Sequence, residues 1–437
     1  MSGYACGRTK LNTASSGVLL SHESVTDDYF TTDVHRRLRE EVREFAETTV
    51  RPQVADMEQS RSVDHKMSRL IAEKGWIGVT VQPAYGGLGL GHLAKTIVIE
   101  ELARVSGAMG AMAQASQLGV AKILHFGDEA QKWRWLPAVS TGECLPTIAV
   151  TEPESGGHVL GMSMSAERDG DEYVLNGRKV FVGNSHVGDL HGVVARTGPG
   201  SKGLSAFLVP STAPGLSLPE HGTAMGLHGF SFGELVFDDC RVPAENLLGS
   251  EGDGLNVAYS SSTLYGRPNL TAVSLGIHQA IVEETARFAR EHQRYGQALG
   301  ELPTVKQKLG QLQSDLMTAR ILAYHAVHLL DQGLPCDTEL MNAKLVNVEL
   351  SLNAARTAME VHAAYGLSAD RSLERLVRDA HHIYAPAGTS DVQRLRLAEN
   401  ALGKSQSQWS VRLAEEVRSS AAALEERGTT CDAGSAA

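Results

Sequence analysis

Apolar residues recur at three- and four-residue steps from Asp33 to about Leu136. Leu38, Val42, Phe45 and Ala46 mark one stripe, and Leu70, Ile71 and Trp76 continue it. That period predicts helices. Near Pro146 the pattern changes. From Ile148 to about Val242, short apolar runs alternate with tight-turn signals. Asp169-Gly170-Asp171 and Asn176-Gly177 read as hairpin turns, the second flanked by Tyr173-Val174-Leu175 and Val180-Phe181-Val182. Leu204 to Val209 before Pro210, and Glu234 to Phe237, read as further strands. From about Leu255 the helical period returns in long stripes. Val305, Leu309, Leu312, Leu316, Ala319, Ala323, Ala326 and Leu330 form one; Met341, Leu345, Val348, Leu352, Ala355 and Met359 form another. Such stripes, dotted with alanine, predict helices packed closely on helices.

The order predicts an α+β fold. A helical N-terminal domain covers 31–146. A middle antiparallel β-barrel or sandwich covers 147–248, and a C-terminal four-helix-bundle domain covers 249–405. Residues 1–30, rich in Ser, Thr and Gly, read as a flexible arm, and 406–437 as a helix end and mobile tail. The glycine-rich run from Pro83 to Gly91 lacks the third glycine of a dinucleotide fingerprint and reads as a turn needing positive φ.

Composition narrows the function. With 42% hydrophobic and 21% charged residues, the chain has an ordinary globular balance. A formal net charge of −11 argues against a nucleic-acid partner. The five cysteines are scattered, without C-x-x-C spacing, and read as reduced and metal-free. The N-terminus shows no secretory h-region and no apolar stretch is long enough to span a bilayer, so the expected location is cytoplasmic.

Several runs carry a more specific signal. Thr151-Glu152-Pro153 and then Asp171 to Lys179 (DEYVLNGRK) resemble the opening of the middle domain of acyl-CoA dehydrogenases. Val236 to Gly249 (VFDDCRVPAENLLG), followed by Glu251-Gly252-Asp253-Gly254, resembles that domain's end. Arg378-Asp379-Ala380 and Gly388-Thr389-Ser390 resemble the C-terminal active-site segment, and the resemblance spans roughly residues 35 to 405. It implies FAD held between the β domain and the C-terminal helices, in a homodimer or homotetramer whose neighbouring subunit closes over the ADP portion. It also implies an acyl-thioester substrate, with a glutamate taking the α-proton while the flavin takes the β-hydride.

By the same resemblance, that glutamate lies seven positions beyond the alanine of Arg-Asp-Ala. Here that position is Ala387. The family's alternative base precedes an arginine matching Arg267, and that position is Gly266. Both are empty of carboxylate. The grip on the thioester is altered too. Gly157 and His158 replace a Ser-Asp pair, and Leu264 replaces an aspartate that helps hold the CoA chain. Gly157, His158, Leu264, Arg267 and Ala387 are thus the expected substrate-side positions.

Val150, Thr151, Gly156, Phe181, Gly183, Arg294, Tyr295, Leu299, Glu360, Ala364, Ile383, Thr389 and Asp391 are the expected flavin-side positions. Among them Phe181 replaces a tryptophan covering the ring, and Gly183 a threonine. His292 replaces a pyrophosphate arginine that Arg294 substitutes in charge, and Glu360 and Asp391 replace glutamines. Ala363-Ala364 stands for a glycine pair.

Candidates for a relocated base are His158, Tyr265 and Asp391, with His158 foremost. Adjacent His381 and His382 diverge on a helix and do not form a metal pair. Glu100 and Glu101 read as a solvated helix face. The resulting expectation is an atypical flavoenzyme of biosynthetic metabolism acting on an acyl or aminoacyl thioester, with a carrier-protein tether favoured over CoA. It would work by desaturation with a relocated base or by redox-neutral α-carbanion chemistry. A catalytically silent binding or scaffolding subunit is the alternative. Neither nucleic acid nor membrane is an expected partner.

Overall fold

In the computed structural model, residues 29–404 and 408–412 are described. The expected arm and tail fall almost wholly outside them. Helices α1 (Asp33–Phe45), α2 (Val54–Ser60), α3 (His65–Ala72), α4 (Gly91–Val105), α5 (Gly107–Phe126) and α6 (Glu129–Thr141) come first. Strands β1 (Pro146–Ala149), β2 (Ser165–Asp169), β3 (Glu172–Gly183), β4 (Leu190–Arg196), β5 (Leu204–Pro210), β6 (Leu216–Ser217), β7 (Phe232–Pro243) and β8 (Leu247–Leu248) follow. Helices then return as α7 (Gly254–Ser261), α8 (Arg267–Glu291), α9 (Pro303–Asp331), α10 (Asp337–His362), α11 (Ser372–His382) and α12 (Ser390–Ala401). Between α8 and α9, β9 (Gln293–Arg294) and β10 (Gln297–Ala298) form a small hairpin. The expected sequence of helical, β and helical domains is present. In the glycine-rich turn, Gly86, Gly89 and Gly91 take positive φ.

The sheet departs from expectation in two ways. Its strand order is β6-β7-β3-β2-β4-β5-β8, and β1 pairs with β4 in parallel, so it is mixed and not purely antiparallel. The second hairpin is absent. Asn176-Gly177 lies inside the continuous strand β3, where the register against β7 slips between Leu175 and Gly177. The Asn176 side chain accepts from the Asp239 backbone N–H at 2.8 Å and donates to the Asp239 carboxylate at 3.0 Å. An Asn-Gly pair can supply a bulge as readily as a turn, and only the partner strand decides which.

Helix α4 is buried on nearly every side and joins the two helical regions. A Cβ on Gly276 of α8 would lie 2.3 Å from the Glu100 carbonyl oxygen, so glycine is what permits this close crossing. Glu100 and Glu101 are not on a solvated face: they are 2% and 1% exposed. Glu101 accepts from Arg39 at 2.9 Å and from Arg43 at 2.8 and 3.0 Å, and Arg104 reaches it at 3.4 Å. Glu100 accepts from Arg320 of α9 at 2.8 Å and from the Tyr324 hydroxyl at 2.5 Å. Three helices thus donate cations to two carboxylates. Sequence periodicity missed this because a buried ion cluster and a wet face share one residue pattern.

Candidate active site

The segment after α11 shapes the site. Arg378 bonds Glu374 at 2.8 Å and also pairs with Glu58, and buried Asp379 accepts the Leu227 backbone N–H at 2.7 Å. The bonds to Glu58 and Leu227 tie the end of α11 to α2 and to the loop before β7. The chain then turns through Ala387, with φ of 55°, and Gly388, with φ of 91°. Lys344 of α10 fixes this turn by donating to the carbonyls of Tyr384 at 3.0 Å and Gly388 at 2.8 Å. Gln393 donates to the Ala387 carbonyl at 3.0 Å.

Opposite lies a π-helical turn, Ser262–Gly266, that leads into α8. Such widened turns recur at functional sites. A Cβ on Gly266 would sit 3.3 Å from the Ala387 Cβ and 3.7 Å from Leu118 of α5. The two expected base positions therefore face each other across one contact, and neither carries a carboxylate. Arg267 donates to the Thr263 hydroxyl at 2.5 Å, while its Nε is buried without a partner among the described residues. Burial lowers the Arg267 pKa to about 10, against the opposing pull of Asp337. Burial and then the Arg267 charge push Lys344 down to about 8. Two cations thus border a turn that lacks the usual anion. Leu264, on the same π-turn, is buried.

On the sheet side, Phe181 is 65% exposed and has φ of 56°. Its ring stacks on Phe232 at 5.6 Å, and Phe232 stacks on Phe230 at 6.0 Å. A Cβ on Gly183 would meet Ala115 at 2.9 Å and Phe230 at 3.2 Å, which explains why no threonine stands there. Thr151 accepts the Val180 N–H through its carbonyl. Lys179 donates to the Val150 carbonyl at 2.9 Å and to Glu152 at 2.8 Å. Glu152 also accepts the backbone N–H groups of Ser163 and Met164, which pins the intervening loop. On that loop Gly156, Gly157 and His158 are all exposed.

The expected replacements for the base are not gathered at Ala387. His158 is exposed on its loop. Asp391 is exposed and pairs with Arg394 at 3.2 Å. Tyr265 is buried in a different cluster. The Lys95 ammonium lies 4.0 Å from its ring centre, His92 meets the ring edge-on, His125 is tilted against it, and burial raises its pKa. Burial also lowers Lys95 to about 7, with Asp331 opposing. A depressed lysine destabilises the fold below that value, and the penalty fades as pH rises toward the unfolded-state pKa. Folding stability is therefore expected to climb by up to about 1.4 kcal/mol per pH unit from this group above pH 7. In Lys95→Met, urea denaturation across pH 6–9 should lack that climb; an unchanged slope would refute the assignment.

A further set of residues surrounds His292. Its ring stacks on Phe288 at 4.7 Å and meets Tyr365 edge-on at 4.9 Å, and burial lowers its pKa. Leu299 packs against the same cluster. Tyr295 is 90% exposed, and Arg294 beside it donates to the Gln293 carbonyl at 2.8 Å. Glu360 is paired with Lys308, which holds its carboxyl below the usual range. Ala363 takes φ of 50°, Ala364 is exposed, and Ile383 is buried.

Three family profiles match in succession. They are the N-terminal, middle and C-terminal domains of acyl-CoA dehydrogenase, over residues 32–143, 147–240 and 252–402. The chain belongs to the acyl-CoA dehydrogenase family. An acyl-CoA dehydrogenase of Bacillus subtilis is 32% identical over 369 residues, covering 84% of this chain and 97% of its own length. Butyryl-CoA dehydrogenase of Megasphaera elsdenii has a similar structure, with a TM-score of 0.83 at 28% identity over 85% of this chain and 99% of its own. The prolyl acyl carrier protein oxidase AnaB has a TM-score of 0.80 at 28% identity, over 85% and 99%.

The acyl-CoA dehydrogenase family consists of flavoprotein oxidoreductases, acts on acyl thioesters and is typically oligomeric; FAD is its cofactor. The residues present fit that group. Phe181 leaves an open aromatic face. The Thr151 and Thr389 hydroxyls have no partner among the described residues. Glu360 and Asp391, the two carboxylates that would oppose a diphosphate, are each neutralised by a neighbouring cation. None of the described helices is long and apolar enough to cross a membrane.

Proposed function

We propose that the protein is an atypical flavoenzyme of biosynthetic metabolism that activates the α-carbon of an acyl or aminoacyl thioester held by a carrier protein. The observation that carries this reading is the facing pair Gly266 and Ala387, without a carboxylate, beside an intact open aromatic wall at Phe181. Loss of flavin binding would be expected to erode that wall, and an ordinary dehydrogenase would need the carboxylate. AnaB, of similar fold, is named for a carrier-protein substrate, which supports the tether. So do the exposed Gly157 and His158 and the buried Leu264, none of which offers the Ser, Asp and Asp contacts expected for CoA.

In this reading Phe181, Thr151, Gly183, Ile383 and Thr389 hold the ring of FAD. Val150 and Gly156 line its loop side. Arg294, Tyr295, Leu299 and Ala364, with the paired Glu360 and Asp391, meet the nucleotide half across a homo-oligomer interface. When bound, FAD supplies hydride-accepting capacity. The chain's own part is to receive the thioester over the Ala387 turn. The Ala387 backbone N–H polarises the carbonyl, and the flanking Arg267 and Lys344 favour negative charge there. Arg267 also braces the π-turn through Thr263.

The purified protein is expected to be yellow, or to become so on reconstitution, and to release FAD on denaturation. A colourless protein that FAD does not bind by fluorescence titration would sink this reading and leave a binding or scaffolding role. With FAD bound, mixing without oxygen with acyl-pantetheine thioesters separates two chemistries. Bleaching marks desaturation; a flavin that stays oxidised while the thioester changes marks redox-neutral chemistry.

A further inference from the structure

Helices α5 and α8 meet along one seam at the site. Gly266 faces Leu118 of α5 there: an added Cβ would lie 3.7 Å from the leucine side chain and 3.3 Å from the Ala387 Cβ. The next rung of the seam is polar. Asn269, three residues beyond Gly266, donates through its side-chain amide to the Gln114 backbone carbonyl at 3.2 Å, and Gln114 lies four residues before Leu118. Residues three or four apart share a helix face. The amide rung therefore stands on the same faces as the Gly266–Leu118 contact, about 5 Å along the helices at 1.5 Å per residue. Ala115, beside Gln114, lies 2.9 Å from where a Cβ on Gly183 would be, so this turn of α5 also reaches β3, the strand of Phe181.

Asn269 is fully buried and Gln114 is 8% exposed. Asn269 Oδ1 and Gln114 Oε1 are both buried without a hydrogen-bond partner among the described residues. The Asn269 amide cannot be turned over without loss, because its nitrogen is committed to the Gln114 carbonyl. A buried acceptor left without a donor is costly and calls for an explanation. Gln114 is also the exception in its stretch of α5, which is otherwise small or apolar from Gly107 to Ala115. Two acceptors in one place require a group with at least two donors. A hydroxyl supplies one O–H, whereas an amino group supplies two or three N–H bonds, according to its protonation.

We propose that Gln114 and Asn269 form the pocket for the amino group of an aminoacyl thioester, so that the substrate is aminoacyl and not plain acyl. The assignment rests on the flavin-and-thioester reading above and narrows it. The two amide oxygens accept the substrate N–H bonds while the thioester carbonyl lies at the Ala387 backbone N–H. A carbon–nitrogen bond of about 1.5 Å and a hydrogen bond of about 2.9 Å together span nearly the length of one rung, so the amino group fits on the α-carbon.

Binding separates this assignment from the wider reading. The probes are alanyl-, lactyl- and propionyl-pantetheine, which share a carbon skeleton and carry an amino group, a hydroxyl and a hydrogen at the α-carbon. Each is titrated into the FAD-loaded protein and read by calorimetry. Alanyl-pantetheine is expected to bind about 10- to 10²-fold more tightly than propionyl-pantetheine, with the lactyl compound between them. Gln114 makes no side-chain hydrogen bond among the described residues, so Gln114→Met removes one acceptor and breaks no bond of the fold. It should cut the preference about tenfold, while propionyl-pantetheine and FAD affinities stay within a few-fold. Equal binding of alanyl- and propionyl-pantetheine by the parent, or a preference that Gln114→Met leaves intact, overturns the amino-group pocket alone. Failure of the protein to bind FAD, or of the FAD-loaded protein to bind any of the three thioesters, overturns the underlying reading with it.

Discussion

Ala387→Glu is expected to raise oxidation of a simple acyl thioester by about 10²–10⁴-fold, the usual worth of a positioned general base. The turn already holds a residue with a Cβ at φ of 55°, so the substitution adds no new backbone strain. The new carboxylate would extend from a turn bordered by Lys344 and Arg267, whose charges favour its ionised form. Gly266 opposite offers no competing side chain, and its small size is needed, because a Cβ there already comes within 3.3 Å of Ala387. The measurement is the rate of flavin bleaching without oxygen, with butyryl-CoA and butyryl-pantetheine compared. A gain with pantetheine and not with CoA would also support the carrier-protein tether. No gain, with FAD bound and thioester shown to enter, would mean that the missing carboxylate is not what holds ordinary dehydrogenation back.

Glu101→Ala is expected to cost about 3–5 kcal/mol, the scale for breaking a buried ion pair from one side. Arg39, Arg43 and Arg104 would lose a shared acceptor that is 1% exposed. Thermal unfolding should move down by roughly 10 °C on the scaling for large domains. The acid side provides a second check. The arginines hold the Glu101 pKa at about 2, against the burial that opposes them. Its contribution is therefore complete above an ordinary glutamate pKa and is lost as pH falls toward 2. The variant should lack that part of the acid transition. Glu301→Ala removes an exposed pair with Lys306 and should stay within about 0.5 kcal/mol. Equal losses from the two variants would refute the view that burial sets the cost.

The sequence by itself determined the family, the order of helical, β and helical domains, and the absence of carboxylate at both Ala387 and Gly266. These follow from period and motif, which are local properties of the chain. What tertiary structure decided concerns residues far apart in sequence. It brought Gly266 and Ala387 into one contact, turned Asn176-Gly177 from a hairpin into a bulge, and buried Glu100 and Glu101 among arginines from α1, α4 and α9. It paired Glu360 and Asp391 with cations, which removes their expected conflict with a diphosphate. It also left His158 in solvent and set His382 against the aromatic wall. In the sequence His382 is only one of two adjacent histidines at a helix end. Burial and then His228, about 150 residues earlier, lower its pKa, because a side chain's protonation depends on what packs around it.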